Sequence, residues 1–222
     1  MHAAHICSVP FEDYDIHGGV PISLDLDDLY DKIVRRRRGG FCYELNGLFG
    51  ALLRALGHDV TLVSAFSLDD DAVRGPDFDH LRLIVDSTWI ADVGNGAWWR
   101  GPVPLQPGEH GGIRVEQKGE LWLTCSRDRD SRWQRDWAWT PAPRALSDFL
   151  DRCRYHEHNP ESHFVQRRLA SLAVDGGQIT LVNGVFADTG RPDRLVSVDE
   201  ERALLAERFG IEIDALIAQS GT

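Results

Sequence analysis

From Leu45 onward the apolar residues Leu48, Phe49, Leu52, Leu53 and Leu56 recur at three- and four-residue spacing. That period predicts a helix with one buried face, beginning at or beside Cys42 and ending at Gly57. A second helix is predicted upstream, where Ser23 or Asp25 supplies a cap and Leu26, Leu29, Tyr30 and Ile33 form an apolar stripe. After His58 the period changes to two. Residues 59–67 read as a strand, 67–79 as an acidic loop, and HLRLIVD followed by TWIADV as a hairpin turning near Asp86 and Ser87. In its first arm His80, Arg82 and Ile84 share one face, and Leu81, Leu83 and Val85 the other. Residues 113–117 and 119–126 read as further strands. The Trp-rich run 131–143 reads as core or edge cover with no binding role. A helix starting at Ser147, a turn at Asn159 and Pro160, and a hairpin turning at Asn183 and Gly184 follow. The last predicted helix carries Leu204, Leu205 and Phe209 on one stripe, with Gly210 as its cap.

The 222 residues suffice for one large domain or two to three small packed ones. No repeat, low-complexity tract or linker separates them, so they are expected to pack as one body. A net charge of −11 excludes a general binder of nucleic acid or anionic membrane, which needs a basic surface. The run Arg35 to Arg38 is the local exception, and for its first three members a solvated helix C-terminus accounts for it. Four cysteines without a CxxC pair fit a reducing cytosol. The chain shows no signal segment and no run of membrane length, so a cytoplasmic protein is expected. His156, Glu157 and His158 lack the HExxH spacing and read as a solvated polar turn, so no metal is expected.

Cys42 is the first candidate for chemistry. A thiol in the first turn of a helix sits at the positive end of the macrodipole, which favours thiolate. Gly39 and Gly40 before it allow positive φ and leave room for close approach. On these grounds alone an ordinary buried cysteine and an activated one both stay open. The hairpin offers partners: His80 and Asp92 are symmetric about Asp86. Residues opposed across a hairpin share a face with β-carbons about 5 Å apart, which would set imidazole beside carboxylate; a one-residue slip would separate them.

The run from Arg35 to Asn46, RRRRGGFCYELN, resembles the active-site motif of the arylamine N-acetyltransferases, an RGGxCxE segment followed by Asn. Arg38, Gly39, Gly40, Cys42, Glu44 and Asn46 all match. Further pieces recur in the family's order: PFEDYD resembles its PFEN element, HLRLIV its histidine strand, ADVGNG its DVGFG element, and HNPESHFV the segment entering its third domain. The resemblance implies an α+β fold with a cysteine-protease-like core. It would comprise an N-terminal helical domain (1–57), a central β-barrel domain (58–158) and a C-terminal α/β lid (159–222).

It also implies a catalytic triad of Cys42, His80 and Asp92. Arg38 and Glu44 would support the site structurally, Arg38 as a buried partner for a carboxylate, with Glu44 the first candidate. Phe11, Phe41, Gly94, Asn95, Gly96 and Phe164 would approach substrate or coenzyme A. The implied reaction moves an acetyl group from acetyl-CoA through a Cys42 thioester to an arylamine or hydrazine by double displacement. Small molecules are then the partners, acetyl-CoA is a cosubstrate rather than a bound cofactor, and homo-oligomerisation stays open.

The chain departs from the family pattern in three places. The family carries a further two dozen or so residues ahead of the PFEDYD element, forming the first helix of its helical domain, so either the start is assigned too late or the member is shortened. Exposed apolar surface is expected on the remaining helices if nothing replaces that piece. Asn95 stands where the family has Phe, and Ala97 where a second Gly often follows, so the acceptor pocket is expected to be more polar or wider. Three alternatives stay open: an amide synthase of natural-product assembly using the same triad on a larger acyl thioester, a hydrolase using water, and a catalytically dead binding relative.

Overall fold

A computed structural model describes residues 1–68, 74–96, 99–127 and 132–212. The centre of the acidic loop, 69–73, and Ala97 lie outside the described residues. The chain begins with α1 (His2–Ser8), β1 (Phe11–Glu12), α2 (Tyr14–His17), α3 (Leu26–Tyr30, continued by a wider turn over Asp31–Arg35) and α4 (Cys42–Ala55). Asp25 caps α3 by accepting from the Asp27 amide. Leu29 and Ile33 are buried, whereas Leu26 and Tyr30 are nearly half exposed, so only one edge of the predicted stripe is covered.

The same correction applies to α4. Leu45, Phe49 and Leu53, four residues apart, face the core, while Leu52 and Leu56 are exposed. The covered face is the one that crosses the strands: a Cβ built on Gly50 would lie 3.3 Å from Leu83 Cδ2. Leu52 and Leu56 sit about 100° round the helix from that line, on its exposed side.

An eight-stranded antiparallel sheet follows: β2 (Val60–Phe66), β3 (His80–Val85), β4 (Trp89–Ala91), β5 (Val103–Pro104), β6 (Gly108–His110), β7 (Ile113–Lys118), β8 (Leu121–Arg127) and β9 (Trp133–Trp139). Their order is β5-β4-β3-β2-β9-β8-β7-β6. The two edge strands are separated only by residues 105–107, so the ends of the sheet are brought together and it curls into a nearly closed barrel. Val63, Ile84, Ile90, Trp99, Val115 and Trp139 form its core.

The β3–β4 register differs from the symmetric one. Leu83 faces Ala91, Ile84 faces Ile90 and Val85 faces Trp89, which centres the hairpin on Ser87 rather than Asp86. The cause is a three-residue turn. Asp86 and Ser87 are both left-handed (φ 51° and 54°), Thr88 N donates to Val85 O, and the Asp86 carboxylate accepts from Asp59 N. Continued, this ladder sets Arg82 opposite Asp92, with His80 on the diagonal. The pairing moves by two residues, an even step, so His80 and Asp92 keep a common face.

A tight turn at Leu146–Phe149 leads into α5 (Leu150–His158), then α6 (His163–Gln166). The turn closes through Asp148, whose carboxylate accepts from Ala145 N, and not through a cap at Ser147. A second sheet is made by β10 (Leu169–Val174), β11 (Gly177–Val182), β12 (Val185–Asp188) and β13 (Arg194–Leu195), with β1 on the outer edge of β10. Val182 faces Val185 across Asn183 and Gly184, both at positive φ, the two-residue turn predicted there. The closing helix, α7 (Val198–Leu204, extended to Phe209), buries Leu204, Leu205 and Phe209 and stops at the left-handed Gly210. Among the described residues no helix is long and apolar enough to cross a membrane.

Candidate active site

The loop that leads to Cys42 is held from behind by buried charge. Arg38 donates to Glu12 Oε1 (2.9 Å) and Asp15 Oδ1 (2.8 Å), and Lys32 Nζ lies 2.7 Å from both Asp15 Oδ2 and Glu44 Oε1. The partner of Arg38 is therefore not Glu44. Glu44 takes Lys32 and, with its other oxygen, the Phe41 amide at 3.0 Å, closing the first turn of α4. Burial pushes the Glu44 carboxyl up to about 7 against the pull of Lys32. For Lys32 the order is reversed: burial pulls it down, and the Glu44, Glu12 and Asp15 carboxylates outweigh that and raise it.

Gly39 and Gly40 serve close approach rather than positive φ, since neither adopts it. A Cβ on Gly39 would lie 2.0 Å from Pro10 O, and one on Gly40 2.6 Å from Glu44 Oε2. That proximity lets Glu12 N donate to Gly40 O, which bridges β1 to the loop.

Cys42 is the first residue of α4, with Phe41 as N-cap. Burial pushes its thiol well above the usual range, the Asp92 charge pushes it the same way, and a hydrogen bond from the Leu81 amide draws it back in part. Desolvation therefore opposes the pull of the helix terminus on this sulfur.

Asp92 accepts four hydrogen bonds. His80 Nε2 lies 2.7 Å and Arg82 Nε 2.8 Å from Oδ2, while Asn46 Nδ2 (2.9 Å) and Gly94 N (3.2 Å) donate to Oδ1. Burial would raise this carboxyl, but His80, Arg82 and Asn46 hold it below the usual carboxylate range. Arg82 is fully buried, donates to Thr124 Oγ1, and has its guanidinium against the rings of Trp99 and Trp139. Asn46 also donates to Leu81 O and accepts from Val93 N, so one amide ties α4, β3 and the loop after β4 together. That loop lies on the helix itself: a Cβ on Gly94 would be 2.7 Å from Cys42 Cα.

Cys42 and His80 line one cavity of about 250 Å³. Gly94, Asn95 and Gly96 line it with Phe11 and Phe164, and Trp137, Asp79, His163, Arg167 and Leu169 complete the wall. Phe41 does not line it. It is wholly buried and packs edge-on to Phe164 with ring centroids 5.3 Å apart, so it supports the wall from behind.

Arg82 and Trp137 were not singled out from the sequence. For Arg82 a signal existed, since it shares the His80 face of β3. For Trp137 there was none, because its position depends on β9 pairing with β2; it stacks on His80 at 4.6 Å and thereby departs from the structural role read for the Trp-rich run. His156 differs too. It is buried, with Nδ1 3.0 Å from Ser162 Oγ and Nε2 3.3 Å from Asp79, and does not lie in a solvated turn.

A family model described as N-acetyltransferase matches residues 1–217. The arylamine N-acetyltransferase / N-hydroxyarylamine O-acetyltransferase of Salmonella typhimurium is 33% identical over 96% of this chain and 81% of that protein. The Escherichia coli arylamine N-acetyltransferase is 31% identical over the same shares. Among solved structures, the Salmonella typhimurium arylamine N-acetyltransferase superposes with a TM-score of 0.87 at 32% identity, covering 95% of this chain and 82% of that one. The Mycobacterium marinum arylamine N-acetyltransferase in complex with CoA gives 0.85 at 28% identity, covering 94% and 83%.

Proposed function

The chain belongs to the arylamine N-acetyltransferase family, and from that membership we propose the path its acetyl group takes. Acetyl-CoA is the donor, in keeping with the relative whose structure holds CoA, and an arylamine or hydrazine is the acceptor. Cys42 Sγ attacks the thioester carbonyl while its proton passes to His80. The bond from the carbonyl carbon to the coenzyme A sulfur breaks, and that sulfur leaves with the proton from His80. The acetyl group now rests on Cys42 as a thioester. The amine attacks it, gives its surplus proton to His80, and the Cys42 sulfur departs to be protonated in turn.

Asp92 takes no proton in this scheme. It stays ionised and holds the imidazole by Nε2, which leaves the other ring nitrogen for the sulfur and the amine. His80 takes the Cys42 proton and returns it to the leaving sulfur, acting as base and then acid. The first-turn amides of α4, which have no acceptor one turn back, are suited to stabilise the tetrahedral oxyanion.

The observation that carries this reading is that His80, held at 2.7 Å by the buried Asp92 carboxylate, lines the same cavity as Cys42. Its test is intact-protein mass after brief mixing with acetyl-CoA, for wild type and Cys42→Ala. A single acetyl adduct on wild type, absent from the variant and discharged by an aromatic amine, is expected. An adduct that survives in Cys42→Ala, or turnover without any adduct on a wild-type protein whose Cys42 alkylates, would overturn the covalent path.

A further inference from the structure

We propose that Trp137 is a positioning residue for His80 and that Asn95 locks it in that role. The indole and imidazole rings are stacked, with centroids 4.6 Å apart and planes 15° from parallel. Trp137 Nε1 donates to Asn95 Oδ1 at 3.1 Å. Asn95 lies three residues after Asp92 in the same loop, so one loop grips the imidazole twice: Asp92 holds an edge through Nε2, and Asn95 holds a face through the indole.

The Asn95 bond is not explained by a general need of buried indoles for an acceptor. The Trp99 and Trp139 N–H groups, deeper in the same barrel, have no hydrogen-bond partner among the described residues. Both Asn95 and Trp137 also line the cavity with Cys42, so the pair stands where the reaction runs.

The physical need is clear from the torsion involved. The terminal torsion of histidine is broad, so a single bond to Asp92 leaves the ring free to rock about that contact. A flat aromatic surface removes the freedom and fixes where the second ring nitrogen points. An indole face also attracts a cation, so the contact strengthens when His80 carries the proton between the two half-reactions. The side chain at position 95, where a phenylalanine was expected from the family pattern, thus acts through the base and does not merely make the acceptor pocket more polar.

This inference rests on the proposed covalent path through Cys42, and its test separates the two. Single-turnover acetylation of Cys42 by acetyl-CoA is followed against pH for wild type, Trp137→Leu, Trp137→Phe and Asn95→Leu, with steady-state kcat and KM and thermal melting alongside. The other charged groups facing His80 remain unchanged: Cys42 from α4, Arg82 and Asp92 from the hairpin, Asp79 beside it, Asp136 from β9, and His163 and Arg167 in and after α6. Trp137→Leu is expected to slow acetylation by about 10- to 100-fold and to displace its pH profile, with KM for acetyl-CoA little changed. Trp137→Phe keeps a flat face and restores most of the rate. Asn95→Leu, at the cavity rim, lowers the rate less, without a change in melting.

Wild-type rate and pH profile in Asn95→Leu and in a folded Trp137→Leu would overturn the inference while leaving the covalent path standing. If Trp137→Leu does not fold, Asn95→Leu and Trp137→Phe decide alone: wild-type behaviour in the first, or loss in the second equal to complete inactivation, overturns it. A wild-type protein that forms no acetyl adduct at any pH removes the covalent path, and the inference with it.

Discussion

Replacing Gly94 by alanine tests how tightly the Asp92 loop is locked to the head of α4. The added Cβ would lie 2.7 Å from Cys42 Cα, 2.7 Å from Asn46 Nδ2 and 2.9 Å from Cys42 O. Two of these atoms belong to helical backbone and have no rotamer to change. Restoring ordinary carbon–carbon contact requires the loop to withdraw by roughly 0.7 Å or more. Gly94 N donates to Asp92 and Val93 N to Asn46, so the withdrawal is passed to Asp92, which holds His80, and to Asn46, which holds Asp92. Overpacking of this kind costs about 1–3 kcal/mol, and a displacement approaching 1 Å at a reacting group costs about 100-fold in rate.

Urea unfolding and kcat/KM for acetyl transfer to an arylamine measure the two effects. Gly101→Ala is the internal control, because a Cβ there meets nothing within 4 Å. It is expected to stay within about 0.5 kcal/mol of wild type and to keep full activity. A Gly94→Ala enzyme as stable and as fast as the Gly101→Ala enzyme would show that the loop has slack, and the argument from close approach would fall.

Three further outcomes follow from the same contacts. Asn46→Ala leaves the Leu81 carbonyl and the Val93 amide without their side-chain partners and takes one donor from Asp92; a loss of about 2–4 kcal/mol is expected in urea unfolding, at about 1–3 kcal/mol per unmet buried group. Asp92 has a folded value below its unfolded one, so its stabilisation is present above about pH 4 and is lost as pH falls through the folded value. Asp92→Asn, which also strands the buried Arg82, should be about 3–5 kcal/mol less stable near neutrality, and the gap to wild type should narrow in acid. Glu44 runs the other way: with its folded value raised to about 7, the native state holds the extra proton between about pH 4.5 and 7, and stability from this group declines as pH rises through that window. Comparing Glu44→Gln with wild type across the window isolates the effect, and equal pH slopes in the two proteins would contradict it.

Local features of the site were readable from the sequence because they depend on spacing. Leucine periodicity put Cys42 at a helix head, and strand alternation put His80 and Asp92 on one face, a conclusion that survived a two-residue error in register because the error was even. The error itself came from turn chemistry: two consecutive left-handed residues without glycine, Asp86 and Ser87, are held by contacts to Asp59 that the hairpin sequence does not reveal. The partners of Arg38 were misassigned for a related reason. Glu44 is near in sequence, but Glu12 and Asp15 arrive through β1 and the turn after it, and a chain of alternating charges offers no local rule for which carboxylate a cation takes. Trp137 was the least legible. It reaches His80 only because β9 and β3 flank β2, where Ala65 pairs with His80 on one side and Trp139 on the other.

The short strand β1 has a consequence for synthesis of the chain. Phe11 pairs with Ser171 on one side and bridges Gly40, two residues before Cys42, on the other. Asp13 accepts from Leu169 N, 156 residues away, and Tyr14 donates to Glu201 at a separation of 187. Both partners must be synthesised before such pairings can form, and contacts of high sequence separation slow folding. Cys42 therefore emerges from the ribosome early and waits in an unfinished setting until the C-terminal sheet is made. A nascent or prematurely terminated chain that lacks His163, Phe164, Arg167 and Leu169 carries this thiol without the part of its wall those residues form.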